Sequence, residues 1–162
     1  MTAVRGRALA LAAVVVASAA VLVAVYLTQY RVDRASGPAA ERSAVAAASS
    51  ATATLLSYAP DTIEEDLAAA KSVMTGDFAT YYGRFTADVV GPAARDHGVR
   101  GSARVVDAAA MEVHSDHATV LVFLHQETTS ADRPEPALTA SSVIVNLTRV
   151  DDRWLVSGFD PV

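Results

Sequence analysis

The sequence predicts an α+β domain carried behind one membrane-spanning helix, and three changes of pattern along the chain predict it. An uncharged apolar run occupies Ala8 to Leu27, helical spacing of apolar residues follows as far as His97, and alternation begins after Gly101. Helices first and strands afterwards is the order that packs helices on an antiparallel sheet.

The apolar run contains one clearly polar side chain, Ser18, and follows Arg5 and Arg7. Twenty helical residues rise about 30 Å at about 1.5 Å each, the thickness of a bilayer's hydrocarbon core. Its ten Val and Leu residues favour insertion by roughly 3 to 6 kcal/mol in total. Tyr26 and Tyr30 suit the far interface, with Arg31 and Arg34 just beyond. The rival reading is a cleavable signal, with Arg5 and Arg7 as its charged end and Ala17-Ser18-Ala19 as its cleavage site. Signal cores run about 7 to 15 residues, whereas Val21, Leu22, Val23, Val25 and Leu27 continue past that site. The anchor is therefore preferred: residues 1–7 form a cytoplasmic tail, 8–30 a single-pass span of the cell membrane, 31–54 a stalk or first helix, and 55–162 an exported domain.

All 18 acidic residues lie after the span with 11 of the 13 basic ones, so the exported part carries 11 − 18 = −7. Nucleic acid is excluded as a partner on that balance. No group of four or more Lys and Arg follows the anchor to hold anionic headgroups. The lack of cysteine excludes disulfides, a thiolate nucleophile, a zinc–thiolate site and a lipidated cysteine. The remaining length suits one domain.

From Pro38 to Ser57 the chain is rich in Ala, Ser and Thr. Alanine favours helix, and the expected helix packs only near Leu55 and Leu56 before Pro60 ends it. Thr62 followed by Glu65 reads as a capping box, with Glu64, Glu65 and Asp66 on the helix's positive end. Ile63, Leu67, Ala70 and Met74 then share one face, and Gly76 breaks the helix. Phe78, Tyr81, Tyr82, Phe85 and Val89 repeat the stripe with large side chains, predicting a third helix that supplies most of the aromatic core. Gly91 and Pro92 close it, and Ala93 to His97 adds a short turn.

Beyond Gly101, Ala103, Val105, Ala109, Met111 and Val113 alternate with Asp107 among them, while Ser102, Arg104, Glu112 and His114 share the other face. Ser115-Asp116 is a polar break before Ala118 to Leu124, whose continuous apolar character predicts a hairpin strand buried on both faces. Thr128 to Ala137 reads as an exposed loop. Ser142 to Val150 and Arg153 to Gly158 are the last strands, joined across Asp151-Asp152. The prediction is about three helices on a four-stranded antiparallel sheet.

Four segments in combination resemble the Mce-associated membrane proteins of actinobacteria. They are Leu55-Leu56-Ser57-Tyr58 running into Thr62-Ile63-Glu64-Glu65-Asp66-Leu67, Met74-Thr75-Gly76-Asp77-Phe78 with Tyr81 or Tyr82, Ala118-Thr119-Val120-Leu121-Val122-Phe123, and Asp152-Arg153-Trp154-Leu155-Val156-Ser157. The similarity covers about Ala39 to the C-terminus. The departures are Ala59-Pro60, where relatives more often carry a polar and aromatic pair, and Asp152, where a turn glycine is common. The resemblance implies a cone-shaped nuclear-transport-factor-2-like or SnoaL-like domain behind the span. It also implies an accessory role beside Mce-family proteins and permease subunits of an envelope lipid-import system, and brings no catalytic residue.

His114 and His117 flank the Ser115-Asp116 turn and, with Asp116, are conceivable metal ligands, but a catalytic zinc takes three protein ligands and a structural one four. A solvated hairpin end is preferred. His125 and Glu127 on one strand, with Asp107 on its neighbour, are a conceivable acid–base group in a cone-shaped pocket. A hydrogen-bonded histidine at a strand end is the simpler account. Tyr81 and Tyr82 suit either a cavity lining or the core, and Trp154 suits a plug between sheet and helices. Asn146-Leu147-Thr148 matches a glycosylation acceptor but falls inside a strand. No catalytic, cofactor-binding or metal residue is therefore assigned. A non-enzymatic, membrane-anchored accessory to the import complex is expected. The alternatives are a SnoaL-like isomerase or dehydratase, and a lipid-binding module whose ligand is a lipid or sterol.

Overall fold

The computed structural model describes residues 18–24 and 37–162. The expected tail, most of the expected span and residues 31–36 of the expected stalk lie outside these residues, while 18–24 are helical and exposed. Among the described residues no helix is long and apolar enough to cross a membrane.

Helix α1, Pro38–Leu56, begins with proline in its first turn, where the missing amide proton costs nothing, and carries Glu41 on its positive end. Its buried residues are Ala44, Ala48, Ala51, Thr52 and Leu55. Packing therefore starts in the second turn, well before the C-terminal end expected from the weak apolar stripe. Alanine explains the difference: its small side chain lets the helix backbone settle close to the sheet, so a stripe of low hydrophobicity is a fully buried one. Residues 38–54 belong to the domain's core cluster through Ala44, Ala48 and Ala51.

Helix α2, Ile63–Ser72, starts at the expected place by a different device. Thr62 caps no backbone amide with its side chain; its hydroxyl donates to Asp66 Oδ2 at 2.7 Å, and the Ala59 amide donates to the same oxygen at 3.0 Å. Asp66, rather than Glu65, ties the entering chain to the first turn. Ile63, Ala70 and Met74 are buried as expected. Val73 to Thr75 then lie along the last strand, with the Thr75 amide donating to the Val156 carbonyl at 2.9 Å and the Val156 amide to the Val73 carbonyl at 2.8 Å.

Gly76 adopts φ +63° at the start of α3, Gly76–Phe85. A π-helical turn, Thr86–Val90, leads into α4, Gly91–His97, which ends at Gly98 with φ +61°. The Thr86 hydroxyl donates back to the carbonyls of Tyr82 and Gly83 at 2.9 and 3.1 Å, competing with the regular ladder where the helix widens. No residue of α3 is fully buried, which corrects the expectation of an aromatic core. The core is made mainly of Ala, Val and Leu, because α1 packs its alanine stripe against the sheet, chiefly along β1. Phe78 and Tyr82 pack at its margin, while Tyr81, Phe85 and Val89 remain 66, 42 and 50% exposed.

The four strands are β1, Arg100–Val113; β2, His117–Thr129; β3, Ala137–Val150; and β4, Arg153–Pro161. They form one antiparallel sheet in the order β1-β2-β3-β4. Ala118, Val120, Val122 and Leu124 point to the helices, whereas Phe123 is 44% exposed and His125 lies in solvent. Strand β2 is thus buried on one face only, since the helices form a single layer. Bulges near Val106 and Met111 break the alternation expected in β1. Each extra residue shifts the strand's faces by one position, so Val106 and Met111 stand 57 and 61% exposed and Ala108 turns inward. Strand β3 starts at Ala137 rather than Ser142, and β4 runs past Gly158 far enough for Phe159 to stack on Phe78 at 6.3 Å. Asp151 and Asp152 both take positive φ, +48° and +61°, the mirror-image turn that matches strand twist. Trp154 is half-buried against the core, with the Arg149 guanidinium 5.4 Å from its ring centroid.

Candidate functional site

The end of α1, the π turn and the paired ends of β1 and β2 enclose an open groove of about 290 Å³. Leu55, Tyr58, Tyr82, Phe85, Val89 and Gln126 are among its walls. Ligand pockets generally hold about 300 to 1,000 Å³, so this groove is at the small end. The Tyr82 hydroxyl donates to the Leu55 carbonyl. Burial, reinforced by Tyr58, pushes Tyr82 up to about 12, and burial also raises Tyr58. Both phenols stay protonated near neutral pH and act as donors, not bases. Tyr82 is therefore a groove wall with a structural bond, while Tyr81 points to solvent. Tyr58, which the sequence marked only as part of the segment Leu55-Leu56-Ser57-Tyr58 and not as a site residue, lines the groove because its amide and carbonyl pair with Gly101.

A wider cleft of about 650 Å³ lies between α2 and α3, with Glu64, Lys71, Arg84 and Asp88 among its walls. Its mixed charges sit on exposed side chains, and no acid–base pair is brought together there.

The structure does not assemble the other conceivable acid–base group. His125 faces outward opposite Arg104 of β1, away from the groove, whereas Glu127, opposite Ser102, stays exposed at the groove's rim beside Gln126. Asp107, beside the bulge, faces Phe123 and accepts a hydrogen bond from the Ala108 amide at 2.9 Å. All three are exposed.

At the β1–β2 turn the histidines do meet. The His114 amide donates to the His117 carbonyl at 2.8 Å, and the Arg149 amide holds the Asp116 carbonyl at 2.7 Å. The two imidazoles stack at 4.3 Å with an interplanar angle of 26°. His114 Nε2 lies 2.6 Å from Glu112 Oε1, and His117 Nδ1 lies 2.9 Å from Asp116 Oδ1. These bonds hold both carboxyls below their usual range. Glu112, not Asp116, shares the cluster with both histidines. The available signal was its position two residues before His114.

No family model matches the chain. It is 51% identical over 137 residues to uncharacterized protein Rv1362c of Mycobacterium tuberculosis, a match spanning 85% of this chain and 62% of that protein. It is 41% identical over 123 residues to outer membrane protein Rv1973 of the same organism, covering 76% of each chain. The chain belongs to this mycobacterial family. Among solved structures, this member resembles the periplasmic domain of DotI with a TM-score of 0.60, 16% identity, and coverage of 73% of this chain and 91% of that one. It resembles CagV, a VirB8 homologue from Helicobacter pylori, with a TM-score of 0.60, 14% identity, and coverage of 75 and 98%. Likeness at that identity carries the fold alone: the nuclear-transport-factor-2-like packing of helices on one face of a four-stranded sheet, with four α-helices and a π turn here rather than about three helices.

Proposed function

We propose that this chain is a non-enzymatic accessory protein of the cell envelope that binds and stabilises an Mce-type lipid-import complex. One observation carries the reading: Tyr81, Phe85 and Val89, spaced at helical intervals, leave an apolar ridge 66, 42 and 50% exposed beside the groove. Exposed apolar surface of this kind suits protein contact, and the groove beside it carries two phenols that burial keeps protonated, with Glu127 exposed at its rim. The resemblance of four segments to Mce-associated proteins supports the choice of partner. The apolar run before the domain supports membrane attachment. Support for an envelope location comes from a relative bearing the name outer membrane protein and from the fold's occurrence in the periplasmic domain of DotI. A lipid-binding module is the second reading, favoured by the apolar walls Leu55, Phe85 and Val89.

The test is affinity purification of the full-length protein from native membranes after mild crosslinking. Recovery of Mce-type or permease subunits is expected, together with their loss from a Tyr81→Asp/Phe85→Asp variant that still accumulates. Recovery without any such subunit overturns the proposal, and lipid retained in place of a partner supports the second reading.

A further inference from the structure

The β1–β2 hairpin end carries a ligand set that the groove does not explain. Glu112, His114 and His117 each offer one ligand atom, and all three atoms lie within 4.8 Å of one another. We propose that this cluster is a binding site for a zinc-class divalent cation, held by Glu112, His114 and His117 with one coordination position left open.

Local structure accounts for the convergence. Glu112 lies next to the end of β1 and His114 directly follows the strand's last residue, with Glu112 Oε1 2.6 Å from His114 Nε2, and the hydrogen bond between the His114 amide and the His117 carbonyl brings the second imidazole beside the first. Two imidazoles and one carboxylate are a donor set suited to zinc with a fourth position for water or a partner's ligand. Bonds of about 2.0 to 2.1 Å in tetrahedral geometry require donor atoms roughly 3.3 Å apart. The side chains are 46 to 60% exposed, so small rotations open the 2.6 Å Glu112–His114 contact and close the wider separations.

Asp116 orients His117. Its carboxylate accepts the Nδ1 proton of His117 at 2.9 Å, which leaves the lone pair on Nε2 and makes that nitrogen a better ligand. Carboxylate-oriented histidines of this kind recur around protein-bound zinc. The same contacts would also serve two surface ion pairs between charged histidines and carboxylates. That account requires no metal and is the one the experiment must beat.

Zinc alone is titrated calorimetrically into the metal-free full-length protein in detergent. Cobalt absorption serves as an independent report on coordination. One equivalent of zinc is expected to bind, unaffected by excess magnesium, since imidazole favours zinc over magnesium. Glu112→Gln, His114→Gln and His117→Gln should each weaken binding at least about tenfold, and Asp116→Asn by about tenfold through His117 alone. His125→Gln, on the same sheet face, should leave affinity unchanged. All five positions are exposed, so unchanged unfolding curves will show that the variants fold. Binding no tighter than that of a His114→Gln/His117→Gln double variant overturns the site, as does an equal loss on changing His125.

Discussion

Tyr58 and Gly101 exchange both backbone hydrogen bonds, the Tyr58 amide to the Gly101 carbonyl at 2.9 Å and the Gly101 amide to the Tyr58 carbonyl at 3.0 Å. This isolated antiparallel bridge fastens the segment after α1 to the start of β1 and forms one wall of the groove. The tyrosine ring lies over the glycine so closely that a β-carbon at 101 would sit 2.8 Å from Tyr58 Cε1 and 3.2 Å from the Leu56 carbonyl oxygen. Gly101→Ala is expected to destabilise the domain by about 1 to 3 kcal/mol, the range for overpacking, as read from urea unfolding. In a double-mutant cycle with Tyr58→Ala the two losses should be less than additive, because removing the ring relieves the clash. Strict additivity would contradict the contact.

Tyr82 makes stability fall in alkali. Its hydroxyl titrates at about 12 in the folded chain instead of its ordinary 10.0. Below pH 10 the group is neutral in both states and its contribution is complete. Between pH 10 and about 12 the unfolded chain ionises first, so unfolding becomes easier by about 1.4 kcal/mol per pH unit. Stability is lost as pH rises through that window. Tyr82→Phe should lessen this slope in urea unfolding measured across pH 9 to 12. Near neutral pH the same variant should cost about 1 kcal/mol, because the Leu55 carbonyl loses its donor.

Thr52 lies wholly buried in α1, and its Oγ1 has no hydrogen-bond partner among the described residues. A buried hydroxyl without a partner costs about 1 to 3 kcal/mol. Thr52→Val keeps the β-branched shape and removes that cost, so a gain of about 1 kcal/mol is expected as a raised urea midpoint. A loss of stability would show that the hydroxyl is satisfied in the folded protein.

Much of the architecture was legible because it depends on local chemistry. The alternation after Gly101, the breaks at Ser115-Asp116 and Asp151-Asp152, and the glycines at 76 and 98 place helices and strands without reference to distant residues. The helix of Ala-rich composition was legible as a helix but not as a core element, since hydrophobicity alone underrates a stripe whose value is close approach. Bulges in β1 were not legible, because an extra residue that costs one local pairing leaves composition unchanged. The aromatic stripe misled for a related reason: helical spacing says which residues share a face, and not which face finds the sheet.

By itself the sequence determined the succession of helices and strands, the acidic balance, the absence of cysteine chemistry and the apolar run from Ala8 to Leu27, all properties of residue type and spacing. Only the tertiary structure decided that alanines of α1 enter the core against the sheet while Tyr81 and Phe85 stay outside, that His125 turns away from the groove, and that Glu112 joins His114 and His117. The physical reason is that burial and convergence depend on strand register and on competition between helices for one apolar face, and both are settled by contacts between residues far apart in the chain.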